Sequence, residues 1–290
     1  MAGDTGKPKH EPHAHHHAHI KTVDQGMPLG QKLIIGLVVA VIGGGGLWYL
    51  GRAAEDSKLN TLFGSQDARK ISTNNGQRGN ITLSDGSVLS VGPATKLTVI
   101  PEYNTQYRGV KVEGTAGFDV KASVGTPIEI RAGNGIFVLD EGEFVVRSYP
   151  DEGDVMFKLT SGSAQVRVKD VRRAIAAPAL LYIGKDSMLV DGDSAAADLA
   201  MAWLQGSVRF KDMPLKDVLP LLNKYYALIM EVSDSALLAR PVTMEASLES
   251  KQKAIDALEK AIFVKFAYSG TTPTLKDDPA AAAKAARVRK

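Results

Sequence analysis

All six histidines of the chain, His10, His13, His15, His16, His17 and His19, crowd into the ten-residue run HEPHAHHHAH. Imidazoles one or two apart in a flexible chain can meet one nickel, zinc or copper ion. No carboxylate or thiol pattern fixes such a geometry, so a solvated tail with incidental metal affinity is the competing reading. From Ile20 to Lys290 there is no histidine, and cysteine is absent throughout. Ser-His-Asp triads, HExxH zinc sites, a histidine general base and thiolate nucleophiles are therefore excluded downstream of residue 19. The densest acidic cluster, Asp140, Glu141 and Glu143, could supply the paired carboxylates of a glycosidase, but acids flanking a glycine between strands read more simply as a solvated turn. Gly133–Phe137 (GNGIF) lacks the GK[ST] and following helix of a phosphate loop. Trp203, Tyr225 and Tyr226 could form an aromatic contact surface, or could be core or hinge residues between two parts of the chain. These residues predict a protein that is not an enzyme and uses no cofactor.

The elements that must position them fall into distinct stretches. Residues 1–32 are rich in Gly, Pro, His and Lys without an apolar period, and read as a disordered tail. Leu33–Leu50, LIIGLVVAVIGGGGLWYL, is eighteen residues without a charge. As a helix it would cover about 27 Å, near the hydrocarbon thickness of a bilayer. Trp48 and Tyr49 close it as interfacial aromatic residues. The expectation is an uncleaved anchor over 33–51 with its N-terminus in the cytoplasm and the bulk of the chain across the membrane. Residues 52–77 read as a linker.

From about Arg78 to Val190 apolar residues alternate with a period of two and are broken by Gly, Asp and Ser every eight to twelve residues. Ile81, Leu83, Leu89 and Val91 flank Ser84–Ser87; Val110 and Val112, Phe118 and Val120, Ile128 and Ile130, and Val155, Phe157 and Leu159 follow. This predicts an antiparallel sandwich or rolled sheet over 78–195. After Trp203 the period changes. Strand Ser207–Lys211, a helix opened by Pro214 with Leu215, Val218, Leu219 and Leu222 on one face, strands Leu228–Val232 and Pro241–Ala246, a helix capped by Ser250, and strand Val264–Tyr268 give a β-α-β-β-α-β module over 203–269. Residues 270–290 read as a basic tail, within which Ala280–Lys290 (AAAAKAARVRK) is loose or a frayed basic helix.

The net charge of +3 belongs to the ends. Lys7, Lys9, Lys21 and Lys32 outweigh Asp4, Glu11 and Asp24, and Lys276, Lys284, Arg287, Arg289 and Lys290 outweigh Asp277 and Asp278. The body is left near neutrality, with no broad basic face expected and no nucleic-acid partner.

The order of motifs resembles the periplasmic part of FecR-like regulators. Leu83, Asp85, Gly86 and Ser87, with Thr95 and Leu97, match a strand ending in L-x-DGS and a later small-Ser/Thr-x-Leu. Val110, Val112, Gly114, Ala116, Phe118 and Val120 match V-x-L-x-G-x-A-x-F-x-V. Trp203, Gly206, Val208 and Phe210, then Pro214, Leu215, Val218, Leu219 and Leu222, are similar to the small last domain of those proteins, related to signalling modules of secretins and TonB-dependent receptors. The usual G-T-x-F-x-V strand stands here as Gly142-Glu143-Phe144-Val145-Val146.

The resemblance implies a bacterial inner-membrane protein that passes a signal from an envelope partner across the bilayer. Only thirty-two residues precede the apolar segment, and they hold no amphipathic helix of the kind that grips a sigma factor. A structural subunit bracing a larger membrane complex therefore stands as the alternative. Exposed strand edges of the α+β module, within residues 206–268, are the expected partner surface.

Overall fold

The structure is a computed structural model, and it describes residues 57–288 apart from 124, 186–187, 192–196, 198–200 and 270–271. The histidine-rich tail, the apolar segment Leu33–Leu50 and its Trp48 and Tyr49 lie outside the described residues. Among the described residues, no helix is long and apolar enough to cross a membrane.

Thirteen strands make one hydrogen-bonded set: β1 (Arg69–Ser72), β2 (Gly79–Thr82), β3 (Val88–Val91), β4 (Lys96–Val99), β5 (Arg108–Val120), β6 (Ile128–Ala132), β7 (Gly135–Leu139), β8 (Gly142–Ser148), β9 (Val155–Leu159), β10 (Ser163–Val168), β11 (Val171–Ala176), β12 (Ala179–Ile183) and β13 (Met188–Asp191). They close into a nearly barrel-shaped sandwich because β5 belongs to both layers. Its residues 108–113 lie between β4 and the parallel β6, and its residues 114–120 lie between β3 and β8. The first layer runs β1-β4-β5-β6-β7-β10-β11 and the second β2-β3-β5-β8-β9-β12-β13.

The crossover needs Gly114. Its φ is +126°, and a Cβ there would lie within 2.4 Å of Thr95 Oγ1. Thr95 in turn is fully buried; its hydroxyl donates to Pro93 O (3.0 Å) or Thr115 O (3.2 Å) and accepts from Thr115 N (2.9 Å). The alternating residues of the period-two pattern meet between the layers. Phe118 stacks on Phe144 at 4.6 Å, Phe144 tilts on Phe157 at 5.2 Å, and Phe157 stacks on Phe137 at 4.2 Å, tying β5, β8 and β9 of one layer to β7 of the other.

A short 3-10 helix, Ala202–Gln205, leads into β14 (Ser207–Pro214), α1 (Leu215–Tyr226), β15 (Glu231–Val232), β16 (Pro241–Ser247), α2 (Lys251–Ile262), β17 (Val264–Ser269), β18 (Thr272–Asp277) and α3 (Pro279–Val288). The two sheets are β14-β16 and β15-β18-β17. Leu215, Val218, Leu222, Ala254, Ile255, Leu258 and Ile262 bury the apolar faces of α1 and α2 against them. The Ser250 hydroxyl accepts from Lys253 N at 3.2 Å, capping α2.

Two stretches differ from the sequence reading. Within the expected linker 52–77, residues 57–63 are helical and β1 already pairs with β4. Within the expected tail 270–290, β18 pairs with β17. Both strands carry too few apolar residues to alternate visibly. Ile71 is the one apolar side chain of β1, and Leu275 the one large apolar side chain of β18. Pro214 ends β14 and sits before α1 as its N-cap rather than inside the first turn.

Candidate functional site

Two polar clusters stand out beside the apolar cores. The first is built on Arg108, the opening residue of β5, whose side chain is fully covered. Its Nη2 and Nε donate to Asp85 Oδ2 at 2.6 and 2.9 Å, and its other donors reach Lys121 O (2.8 Å), Thr126 O (3.1 Å) and Ser87 Oγ (3.3 Å). Tyr103 donates to the same Asp85 Oδ2 at 2.9 Å, and Ser87 N to Oδ1 at 2.9 Å. Burial pushes the Asp85 carboxyl up, but the Ser87 amide, the Tyr103 hydroxyl and the Arg108 guanidinium outweigh it and hold the group below the usual carboxylate range. Burial pushes the Tyr103 hydroxyl well up. Gly86, at φ +83°, makes the turn that returns the chain from Asp85 to Ser87. The L-x-DGS motif thus serves to seat a guanidinium that fastens the β2–β3 turn to the start of β5 and the loop after it. Every donor is spent on the protein, so this is a structural site.

The second cluster lies where the sandwich meets the α+β part. Arg147 grips Glu152 with Nε (2.8 Å) and Nη2 (2.5 Å), and Lys224 of α1 reaches the same carboxylate at 3.0 Å. The Lys224 ammonium also stands 3.4 Å from the centre of the Tyr149 ring, and the Tyr149 hydroxyl donates to Pro93 O at 2.7 Å. Backbone bonds continue the seam: Gly76 N to Lys224 O (2.9 Å), and Arg78 Nη2 to Leu248 O (3.0 Å). Burial pushes the Tyr225 hydroxyl up, with neighbouring Arg147 pulling against it, and burial pushes Tyr226 up to about 12. Arg147 Nη1, Trp203 Nε1 and the Tyr225 hydroxyl are buried with no hydrogen-bond partner in normal geometry among the described residues. Buried polar groups are rarely left so. Beside the seam runs an open groove of about 730 Å³, lined by Thr73, Arg78, Asn80, Ser90, Trp203 and Leu204.

The sequence-derived candidates are distributed as follows. Leu83, Phe118, Trp203 and Leu215 are buried packing residues. Trp203, Tyr225 and Tyr226 are core and seam residues, not an open aromatic surface. Asp140, Glu141 and Glu143 are exposed at the β7–β8 connection. Gly133 and Asn134 of GNGIF make the tight turn between β6 and β7. No group of three or more metal-ligating side chains occurs among the described residues. Sequence reasoning missed Arg108, Arg147, Glu152 and Lys224. An arginine opening a strand of valines carried the only available signal, and only for the first of them.

These features define a strand-rich scaffold joined through a polar seam to a small α+β part. Residues 69–165 match the FecR protein family and form a FecR domain in this chain. The fold is similar to two crystal structures, at 1.65 and 2.50 Å, of a candidate anti-sigma factor from Parabacteroides distasonis ATCC 8503, with 20% identity and a TM-score of 0.59. The likeness covers 72% of this chain and 99% of that one, too large a share for the sandwich alone, so it extends into the α+β part. No curated protein matches the chain.

Proposed function

We propose that this chain is a membrane-anchored, non-catalytic FecR-type regulator. In this reading Leu33–Leu50 spans a bacterial inner membrane, residues 1–32 lie in the cytoplasm, and the body from Gly51 lies in the periplasm, where it receives an envelope partner and relays that event across the bilayer. The observation that carries it is the FecR domain at residues 69–165, whose motif residues Leu83, Asp85, Gly86, Gly114 and Phe118 build the sandwich. The fold likeness to a candidate anti-sigma factor supports the regulatory side of the reading.

The partner surface lies in residues 206–268. Among the described residues, β14 and β16 pair with each other and β17 with β18, so within that set each leaves a backbone edge without a strand neighbour. Such edges accept an extended segment from another chain.

Alkaline phosphatase fused after Ala54 should be active and fused before Lys32 inactive; the reverse pattern sinks the topology. Photo-cross-linking from Lys265, exposed on β17, in native membranes tests the partner. A cross-linked envelope protein whose loading alters a cytoplasmic regulator is the expected result. Retention at fixed stoichiometry in a large membrane assembly would make the chain a structural subunit instead.

A further inference from the structure

A free strand edge and an unfilled hydrogen-bond donor border the groove beside the seam. β2 pairs with β3 on one side and, among the described residues, with no strand on the other. Which of its backbone groups face outward follows from the register. Leu83 N donates to Ser87 O at 2.9 Å, and the pairs Thr82–Val88, Ile81–Leu89, Asn80–Ser90 and Gly79–Val91 continue the hairpin. Antiparallel pairs alternate between hydrogen-bonded and open, so Ile81 and Gly79 bond to β3, while Thr82 and Asn80 turn N–H and C=O to the free edge. The far side of β3 agrees. Gly92 N donates to Thr115 O at 2.9 Å, which assigns the even residues of β3 to β5 and leaves the odd ones for β2.

The same stretch floors the groove. Asn80, Ser90 and Gly117 are neighbours in one row across β2, β3 and β5, on the outer face of the second layer. Gly117 leaves room for Leu204, whose Cδ2 lies 3.1 Å from where a Cβ would stand. Gly92 does the same for Trp203: a Cβ there would lie 3.3 Å from Cε2, the ring carbon bonded to Nε1. Two glycines thus seat Trp203 and Leu204 as a wall of the groove. Leu204 is 39% exposed, whereas Trp203 is buried and its Nε1 has no acceptor among the described residues. The lining includes one cation, Arg78, and no carboxylate. The Arg78 hydrogen bonds go to carbonyls, Leu248 O at 3.0 Å and Trp203 O at 3.5 Å.

From the outward backbone groups, the orphaned indole donor and the acid-free lining we infer that the groove receives an extended, acidic segment of a partner protein, which adds to β2 as a strand. Its backbone pairs with Asn80 and Thr82, an acidic side chain meets Arg78, and an apolar one covers Leu204. A carbonyl of the segment supplies the acceptor that Trp203 Nε1 lacks. The lining runs from Thr73 and Arg78 of the sandwich to Trp203 and Leu204 at the entry to the α+β part, so a seated segment touches both parts at once. This site is separate from the strand edges within residues 206–268, and its geometry uses none of the residues before Ser57.

The test uses the full chain in detergent micelles, carrying Trp48→Phe so that Trp203 is its one tryptophan. The probe is a phage-displayed library of random heptapeptides selected on that protein. Enriched sequences should be acidic, and as labelled synthetic peptides they should bind by fluorescence anisotropy and shift the Trp203 emission. Exchanging the acid for its amide should weaken binding about threefold. Methylating the peptide's backbone nitrogens on alternate residues should divide the analogues into two sets. One set should lose binding and the other keep it, because only every second residue of an added strand bonds to the edge. Asn80→Pro removes an outward N–H and no β2–β3 bond, so it should weaken binding about tenfold with an unchanged circular dichroism spectrum.

Peptides that leave the Trp203 emission unmoved, or whose binding ignores both methylated sets, overturn the inference. Enrichment of basic sequences, or of none, does the same. The methylated sets decide the matter without Asn80→Pro should that variant fail to fold. A concentration-dependent dimer of the full chain that Asn80→Pro abolishes would make a second copy the occupant and reject the partner segment.

Discussion

At the residue scale, Arg108 and Asp85 carry the clearest expectations. Both side chains are almost fully covered, so removing the guanidinium leaves a buried carboxylate with one fewer counter-charge. Arg108→Met should cost about 3–5 kcal/mol, read as a drop in the thermal unfolding midpoint. The pH dependence follows from the direction of the carboxyl's shift. Asp85 sits below its ordinary value of 3.8 in the fold, so its contribution is present above that value and fades as pH falls through the lower folded value. Wild-type stability should therefore fall more steeply below pH 3.8 than that of Asp85→Asn, which has already lost the charge. Parallel acid titrations would contradict the assignment. Gly114→Ala should cost about 3 kcal/mol, since a Cβ at φ +126° meets Thr95. A neutral outcome in urea unfolding would show that β5 can change layers without a glycine.

At the element scale, Ser250 is a cap whose worth can be isolated, because its hydroxyl accepts from Lys253 N and nothing else is asked of it. Ser250→Ala should cost about 1 kcal/mol, checked by chemical denaturation. Elements with strong periods were legible: the alternation around β5 to β10, and the apolar stripes of α1 and α2, each have one wet and one dry face. The helix at 57–63, β1 and β18 were not, because a four- to seven-residue element with one to three apolar anchors has no measurable period. Nor was it legible that Val110–Val112 and Phe118–Val120 belong to one strand shared by two layers. A period of two says which face is buried but not which sheet the strand serves. The same limit hid the candidate sites. Arg147, Glu152 and Lys224 are ordinary charged residues in sequence, and only the fold brings the first two to the third across the seam.

At the scale of the whole molecule, the seam decides whether the sandwich and the α+β part behave as one body. Its apolar contribution is modest: Gly117 approaches Leu204, and Gly92 approaches Trp203. Its polar contribution is concentrated in Lys224, which is 13% exposed and held by Glu152 and the Tyr149 ring, and in Arg78, which ties the segment after β1 to Leu248 O. The pair to Asp151 adds little, at 3.8 Å and with a largely exposed carboxylate. Replacing Lys224 with Met keeps the apolar stem and removes the ammonium. The Arg147–Glu152 pair remains satisfied, so the loss is confined to one ion pair and one cation–π contact, about 1–2 kcal/mol together. Adding Arg78→Ala removes the second fastening without touching either core. Scanning calorimetry of the full chain should then change in form as well as in midpoint. The wild type should unfold the two parts in one cooperative transition, and the double variant should resolve into two, the α+β part melting first because its sheets have only two and three strands. If the wild type already shows two transitions whose midpoints are indifferent to both substitutions, the two parts are only tethered, and nothing can pass between them through this seam.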